Sequence, residues 1–170
     1  MGGKALGGQR VDRDTAEELF EMISREVLFG TYAMSGSLIL AGSYRRGKDD
    51  MGDLDILVTP DDDAALEQFN EWCYFRLGEQ KSGKPLRTRL FDGVQVEFYV
   101  ATPANQGTQL QMWTGSARFN VKLRRAAKKM GYSMSQYGFR NKETGELVTC
   151  ASEVEVFDFL GLDYVQPEDR

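Results

Sequence analysis

Asp53 and Asp55 stand one residue apart at the head of an apolar run, DLDILVT, directly after the polar, glycine-bearing stretch RRGKDDMG. No other segment constrains the chain as tightly. The run is apolar enough to be a buried strand, yet its mouth carries two carboxylates. Residues i and i+2 of a strand share a face, with Cα atoms about 6.6 Å apart. Two carboxylates so placed repel unless a cation neutralises them. A bare D-x-D is most simply a solvated strand start. What precedes it changes the balance.

Gly42 lets backbone approach a ligand closely. Ser43 offers a hydroxyl and a backbone N–H to a phosphate oxygen. Arg46 can fork onto two such oxygens, and Gly52 keeps side-chain bulk away from Asp53. A third carboxylate on a neighbouring strand would complete a site for ions about 3.5–4 Å apart, as in two-metal phosphoryl transfer. Glu97 in VQVEFYV is available for it. Phosphate donors and metal ligands thus fall within about a dozen residues, as a nucleoside triphosphate–metal complex requires.

The 170 residues suit one domain or two small lobes, and a 41% hydrophobic content supplies a core. No apolar run approaches the ~20 residues that span a bilayer. The glycine-rich start, MGGKALGGQRVDR, lacks the apolar core of a secretory signal, so residues 1–13 are expected to form a flexible leader. Two cysteines, Cys73 and Cys150, suit reduced, buried thiols in a cytoplasmic protein. Histidine is absent. That removes His-based triads and His-ligated zinc, and leaves oxygen ligands for any metal, which favour magnesium or manganese. The net charge of −5 is unevenly spread: residues 118–142 hold eight basic residues and no acid.

Periodicity predicts a helix over DTAEELFEMISREVLF, with a Thr15–Glu18 capping box and an inward stripe of Ala16, Leu19, Phe20, Ile23 and Val27. LILAGS reads as a strand ending at a glycine. A second helix runs from about Asp61 to Leu77 behind Pro60, with Leu66, Phe69, Trp72, Cys73 and Phe75 or Leu77 inward. GEQKSGKP is a loop. LRTRLF-DG-VQVEFYVA is a hairpin with Asp92 in its turn; Val94, Val96, Phe98 and Val100 face one way, Gln95, Glu97 and Tyr99 the other. TQLQMW is a short helix. ARFNVKLRRAAKKMG is a basic helix with Phe119, Leu123, Ala126, Ala127 and Met130 inward. A small hairpin and a helix capped by Ser152 close the chain.

With these residues in view, GSYRRG continuing to GDLD resembles, in order and spacing, the palm signature of the X-family DNA polymerases, the family of DNA polymerase beta within the nucleotidyltransferase superfamily. WTGSARFNVKLRRAAKKMGYSMSQYGFR resembles the family's aromatic-Thr-Gly-Ser segment and the helix beside the nascent base pair. EVFDFLGLDYVQPEDR is similar to its C-terminal ending. The resemblance covers nearly everything after residue 38. It implies an α+β fold: a nucleotidyltransferase palm of mixed β-sheet and helices over residues 14–106, then a small α/β C-terminal lobe over 107–170.

The resemblance also implies roles. Asp53, Asp55 and Glu97 would be catalytic and would hold two Mg2+ ions, with Mn2+ as a substitute. Gly42, Ser43, Arg46 and Gly52 would bind the triphosphate. Trp113 and Gly115 would sit by the sugar, and Asn120 would reach the incoming base. Arg118, Lys122, Arg124, Lys128, Tyr137 and Arg140 would contact DNA. The partners implied are gapped DNA or a primer-template and deoxynucleoside triphosphates, with a monomer acting inside the cell, in cytoplasm, nucleus or viral factory. The expected activity is template-directed addition of one or a few nucleotides at gaps or nicks.

The chain departs from the family's pattern at several positions. The third carboxylate is normally aspartate, and ~1 Å of misplacement can cost about 10²-fold in rate. Met112 replaces an aromatic residue or glycine, while Trp113 is similar to members that tolerate ribonucleotides. Fewer than forty residues precede the first palm strand. No lyase or helix-hairpin-helix domain is therefore expected, as in the smallest, virus-encoded members. Two other functions remain open: template-independent nucleotidyl transfer to RNA ends or a small alcohol, and DNA-end binding by a catalytically weakened protein.

Overall fold

The computed structural model describes residues 9–78, 86–91 and 93–170, and for residues 86–90 the backbone alone. Val11–Asp12 is a two-residue strand, β1, that leads into helix α1 (Arg13–Phe29). The Asp12 carboxylate caps α1 by accepting the Thr15 N–H at 2.9 Å. The expected Thr15–Glu18 capping box therefore gives way to Asp12. An aspartate placed just before the helix satisfies a donor that Thr15 itself leaves unpaired. The inward stripe of α1 is as expected, with Ala16, Leu19, Ile23 and Val27 buried and Phe20 packed beside them.

Strand β2 (Gly36–Leu40) passes through one short turn of helix, α2 (Gly42–Arg45), to a two-residue strand, β3 (Asp50–Met51). β3 pairs with β1, and Val11 is buried opposite Met51. The expected leader over residues 1–13 is corrected for residues 9–13, while residues 1–8 lie outside the described residues. From Gln9 on, whose N–H donates to Gly93, these residues belong to the fold because Val11 has an apolar partner to bury against.

β4 (Leu54–Pro60) is followed by α3 (Asp63–Leu77), β5 (Leu86–Phe91) and β6 (Val94–Val100). Pro60 ends β4, and Asp62, which accepts the Ala65 N–H, caps α3. On α3, Ala65, Phe69, Trp72 and Cys73 are buried, whereas Phe75 is 60% exposed and stacks on Tyr32. The loop expected over GEQKSGKP lies, apart from Gly78, outside the described residues, as does Asp92. The main sheet has the order β2-β4-β6-β5. Its only parallel pair among the described residues, β4 with β6, is the one bridged by α3. Leu54, Ile56, Val58, Val96 and Phe98 face the core with α1 and α3. The other face carries Leu57 and Tyr99.

A 3-10 turn at Pro103–Asn105 opens α4 (Gln106–Thr114), and α5 (Ala117–Lys129) follows, capped by Ser116. The strands β7 (Tyr132–Ser135), β8 (Gly138–Asn141) and β9 (Leu147–Val148) form a small antiparallel sheet, and α6 (Glu153–Leu160) begins at Ser152. The second core gathers Phe119, Leu123 and Ala127 with Phe139, Val156 and Phe157. Met130, expected inward, is 44% exposed, because α5 ends at Lys129 and Met130 is already its C-cap. α4 serves both cores: Met112 packs with the terminal lobe, Leu110 and Trp113 with the sheet.

Candidate active site

Alternation along β6 sets the geometry. Gln95, Glu97 and Tyr99 share a face, and Glu97 is the register partner of Asp55 on β4. Two carboxylates therefore stand side by side on adjacent parallel strands, with Asp53 just ahead of β4. Burial, then the nearby charges of Asp53 and Glu97, push the Asp55 carboxyl up to about 7. Burial and Glu97 also raise Asp53. Arg46 acts in the opposite sense on Asp55.

Gly42 makes this arrangement sterically open. Its φ is +55°, and a Cβ there would fall 1.9 Å from Asp55 Oδ2. The Ala41 N–H also donates to the Asp55 carbonyl at 2.8 Å, tying α2 to the head of β4. Gly42→Ala is expected to lower stability by about 1–3 kcal/mol through backbone strain. It would displace the Asp55 carboxylate as well, and denaturant unfolding should report the substitution.

α2 and the loop after it carry Ser43, Arg46 and Gly52 beside this pair. Arg46 Nη1 donates to the carbonyl of Thr114 and lies 3.3 Å from where a Cβ on Gly115 would be. The structure thus brings together Arg46 and Gly115 from opposite lobes. Helix α1 braces the same loop. Arg13 donates to the carbonyls of Tyr44 and Lys48 and covers the Tyr44 ring at 4.1 Å, while the Tyr44 hydroxyl donates to Glu17 at 2.5 Å. Arg10 reaches within 3.8 Å of a Cβ position on Gly52. None of these α1 contacts is legible in the sequence, because Arg13 and Tyr44 meet only through tertiary folding.

Trp113 lies flat against Tyr99, ring centroids 3.8 Å apart, with its Nε1 donating to Gln109. Asn120 is buried, donates to the Met112 carbonyl at 2.8 Å and accepts from Gln111 at 2.9 Å, so it brackets α5 to α4. Arg124 contacts the Met112 sulfur. Arg118, Lys122, Arg124 and Lys128 are exposed along α5. Tyr137, 46% exposed, sits in the β7–β8 turn, and Arg140 projects from β8 and donates to Gly145.

Among the described residues, no three acidic side chains stand as a ready metal-holding group. Glu97 is instead bonded to two donors that no sequence motif singles out, Gln95 and Tyr99. The alternation that places all three on one face is the signal that could have found them. The donor set still fits a hard divalent cation. It is all oxygen, and the raised Asp53 and Asp55 are what an uncompensated carboxylate cluster produces.

Comparison with known proteins gives the geometry its context. The sequence model of the DNA polymerase beta palm matches residues 10–134, and that of the DNA polymerase beta thumb matches residues 109–170. The DNA polymerase/3'-5' exonuclease PolX of Bacillus subtilis (strain 168) is 34% identical over 135 residues, covering 76% of this chain and 23% of the relative. DNA polymerase lambda of Arabidopsis thaliana is 27% identical over 198 residues, 95% of this chain and 36% of the relative. The human DNA-directed DNA/RNA polymerase mu is 33% identical over 104 residues, 58% of this chain and 21% of the relative. The chain thus spans about a fifth to just over a third of these proteins' length. With a palm match over most of its residues and a thumb match over the remainder, the chain belongs to the X-family DNA polymerases.

Proposed function

We propose that the chain is a template-directed DNA polymerase of the repair type, adding one or a few nucleotides at gaps or nicks. The observation that carries this is the register of Asp55 with Glu97, beside a loop bearing Ser43 and Arg46 that touches Thr114 of the second lobe. The names of the relatives, polymerases lambda and mu among them, support it. Deoxynucleoside triphosphates and a primer-template or gapped DNA are the substrates, and the chain works as a monomer inside the cell. Among the described residues no helix is long and apolar enough to cross a membrane.

Asp53, Asp55 and Glu97 hold Mg2+ or Mn2+. Bound there, the ions supply Lewis-acid stabilisation of phosphoryl oxygens and acidify the primer 3′-hydroxyl. Arg46 and the Ser43 hydroxyl orient the triphosphate. Gly115, with no side chain, leaves room for the sugar beside Trp113. The basic face of α5 grips the DNA backbone. Exchanging Arg118 and Lys122 for alanine should weaken DNA binding similarly across sequences. It should also reduce the slope of log affinity against log salt by about 2, one for each phosphate that is no longer neutralised. Fluorescence anisotropy across a salt series measures this.

Extension of a primer across a one-nucleotide gap, with each of four templating bases, tests the function. Incorporation that follows the template supports it. Incorporation blind to the template selects template-independent transfer instead. A second reading, DNA-end binding with little turnover, is favoured by one observation: among the described residues no three acidic side chains stand as a ready metal-holding group. Glu97→Asp separates the two, since a rise in turnover marks a live site and no turnover in either form marks a binder.

A further inference from the structure

Glu97 carries one more methylene than aspartate, and so one more rotor to hold still. Its carboxylate is held from both directions along its own strand. Gln95 Nε2 donates to Oε1 at 2.8 Å, and the Tyr99 hydroxyl donates to Oε2 at 2.5 Å while also lying against Asp55, whose charge it favours. Gln95 and Tyr99 are 4% and 6% exposed, so neither donor can readily exchange its partner for water. The Tyr99 ring is fixed in turn by its stack on Trp113, which Gln109 anchors through the indole N–H. An ionised carboxylate has about four acceptor positions. Two donors leave the remaining lone pairs for a cation, so these bonds orient Glu97 without using it up.

Resting on the metal-dependent reading above, we propose that Tyr99, with Gln95, is a positioning residue for Glu97. The phenol and the amide hold the longer side chain upright beside Asp55, which makes a glutamate serviceable as third ligand. Through the Tyr99–Trp113 stack, the orientation of that ligand is mechanically joined to α4, the helix shared by both lobes. Packing alone would explain the ring of Tyr99, and it would explain a buried hydroxyl that needs some acceptor. It does not require that the acceptor be the site carboxylate, held by a second donor on its other oxygen.

The test is Mn2+ titration of the full chain above pH 7, followed by the electron paramagnetic resonance signal of free Mn2+. Tyr99→Phe keeps the ring stack and removes only the donor. Removing the support of a ligand of this kind weakens metal affinity about tenfold or more, and that drop is expected for Tyr99→Phe. Gln95→Leu, the second variant, should weaken binding in the same direction. In a Glu97→Ala background, Tyr99→Phe should cause a clearly smaller loss, what remains being the support that the same hydroxyl gives Asp55. Affinities of Tyr99→Phe and Gln95→Leu within about twofold of wild type, well short of that expected drop, would overturn the proposal. So would an equal loss from Tyr99→Phe with and without Glu97, which would mark an effect that does not run through Glu97. Asp55→Ala is the control. If it binds Mn2+ as wild type does, or if wild type binds none, the metal-dependent reading falls and the positioning role falls with it. If Asp55→Ala loses binding while Tyr99→Phe does not, only the positioning role falls.

Discussion

Asp55→Asn is expected to abolish nucleotide addition while making the metal-free protein more stable. The loss of activity should be roughly 10³-fold or more, because metal-held charge stabilisation supplies several kcal/mol and each 1.4 kcal/mol is tenfold in rate. The gain in stability follows from the carboxyl's environment. Burial and the charges of Asp53 and Glu97 raise Asp55 to about 7, against an ordinary value of 3.8. An acid raised on folding binds its proton more tightly in the native state. Stability therefore falls as pH climbs from about 3.8 to about 7, and the penalty stays in force above that window. Asparagine removes the ionisation. The variant should unfold at higher denaturant concentration than wild type above pH 7, by on the order of 2–4 kcal/mol without divalent ions, and should match it near pH 3. Added Mg2+ should narrow the gap by stabilising wild type alone. A variant that merely disrupted the fold would lose activity and stability together.

The second large effect lies between the lobes. Glu153, at the start of α6, is bonded at 2.6 Å to Arg45 of α2 and at 2.6 Å to Arg170. The Arg170 side chain is fully buried, and its guanidinium lies over the rings of Phe119, Phe157 and Tyr164. Burial opposes the Glu153 charge, but hydrogen bonds and charges from the two arginines prevail and hold its carboxyl below the usual range. A depressed acid contributes stability above its unfolded pKa and loses it as pH falls through the folded one. Glu153→Gln leaves two partly or wholly buried guanidinium groups without a counter-charge. It should cost about 3–5 kcal/mol, seen as a drop in denaturation midpoint that shrinks toward acid pH. Arg45 also donates to the Thr114 hydroxyl, so losing Glu153 should loosen, though not break, the tie between α2 and the second lobe, and the KM for the nucleotide proposed to bind there should rise.

What is legible in the sequence is whatever depends on local periodicity. The alternation in VQVEFYV puts Glu97 on the correct face, and the stripe of α1 survives residue by residue. Long-range pairing is not legible. Nothing near Asp55 announces that β6 will lie parallel to β4 with Glu97 in register, and nothing in SEVEV announces a partner 108 residues away. Polar residues mislead where tertiary contacts claim them. Asn120 lies on a basic helix whose sequence does not announce its burial, and α4 offers it both an acceptor and a donor. Asp12 falls within the glycine-rich start and passes for leader, although a carboxylate just before a helix is a strong cap.

A crystal of the full chain soaked with Mn2+ and a non-hydrolysable deoxynucleoside triphosphate tests the central claim most directly, through the anomalous signal of the ion. Manganese is expected at the carboxylates of Asp53, Asp55 and Glu97 beside the triphosphate, with Glu97 still held by Tyr99. Manganese bound elsewhere, or a triphosphate seated away from Arg46 and the Asp53–Asp55 pair, would contradict it.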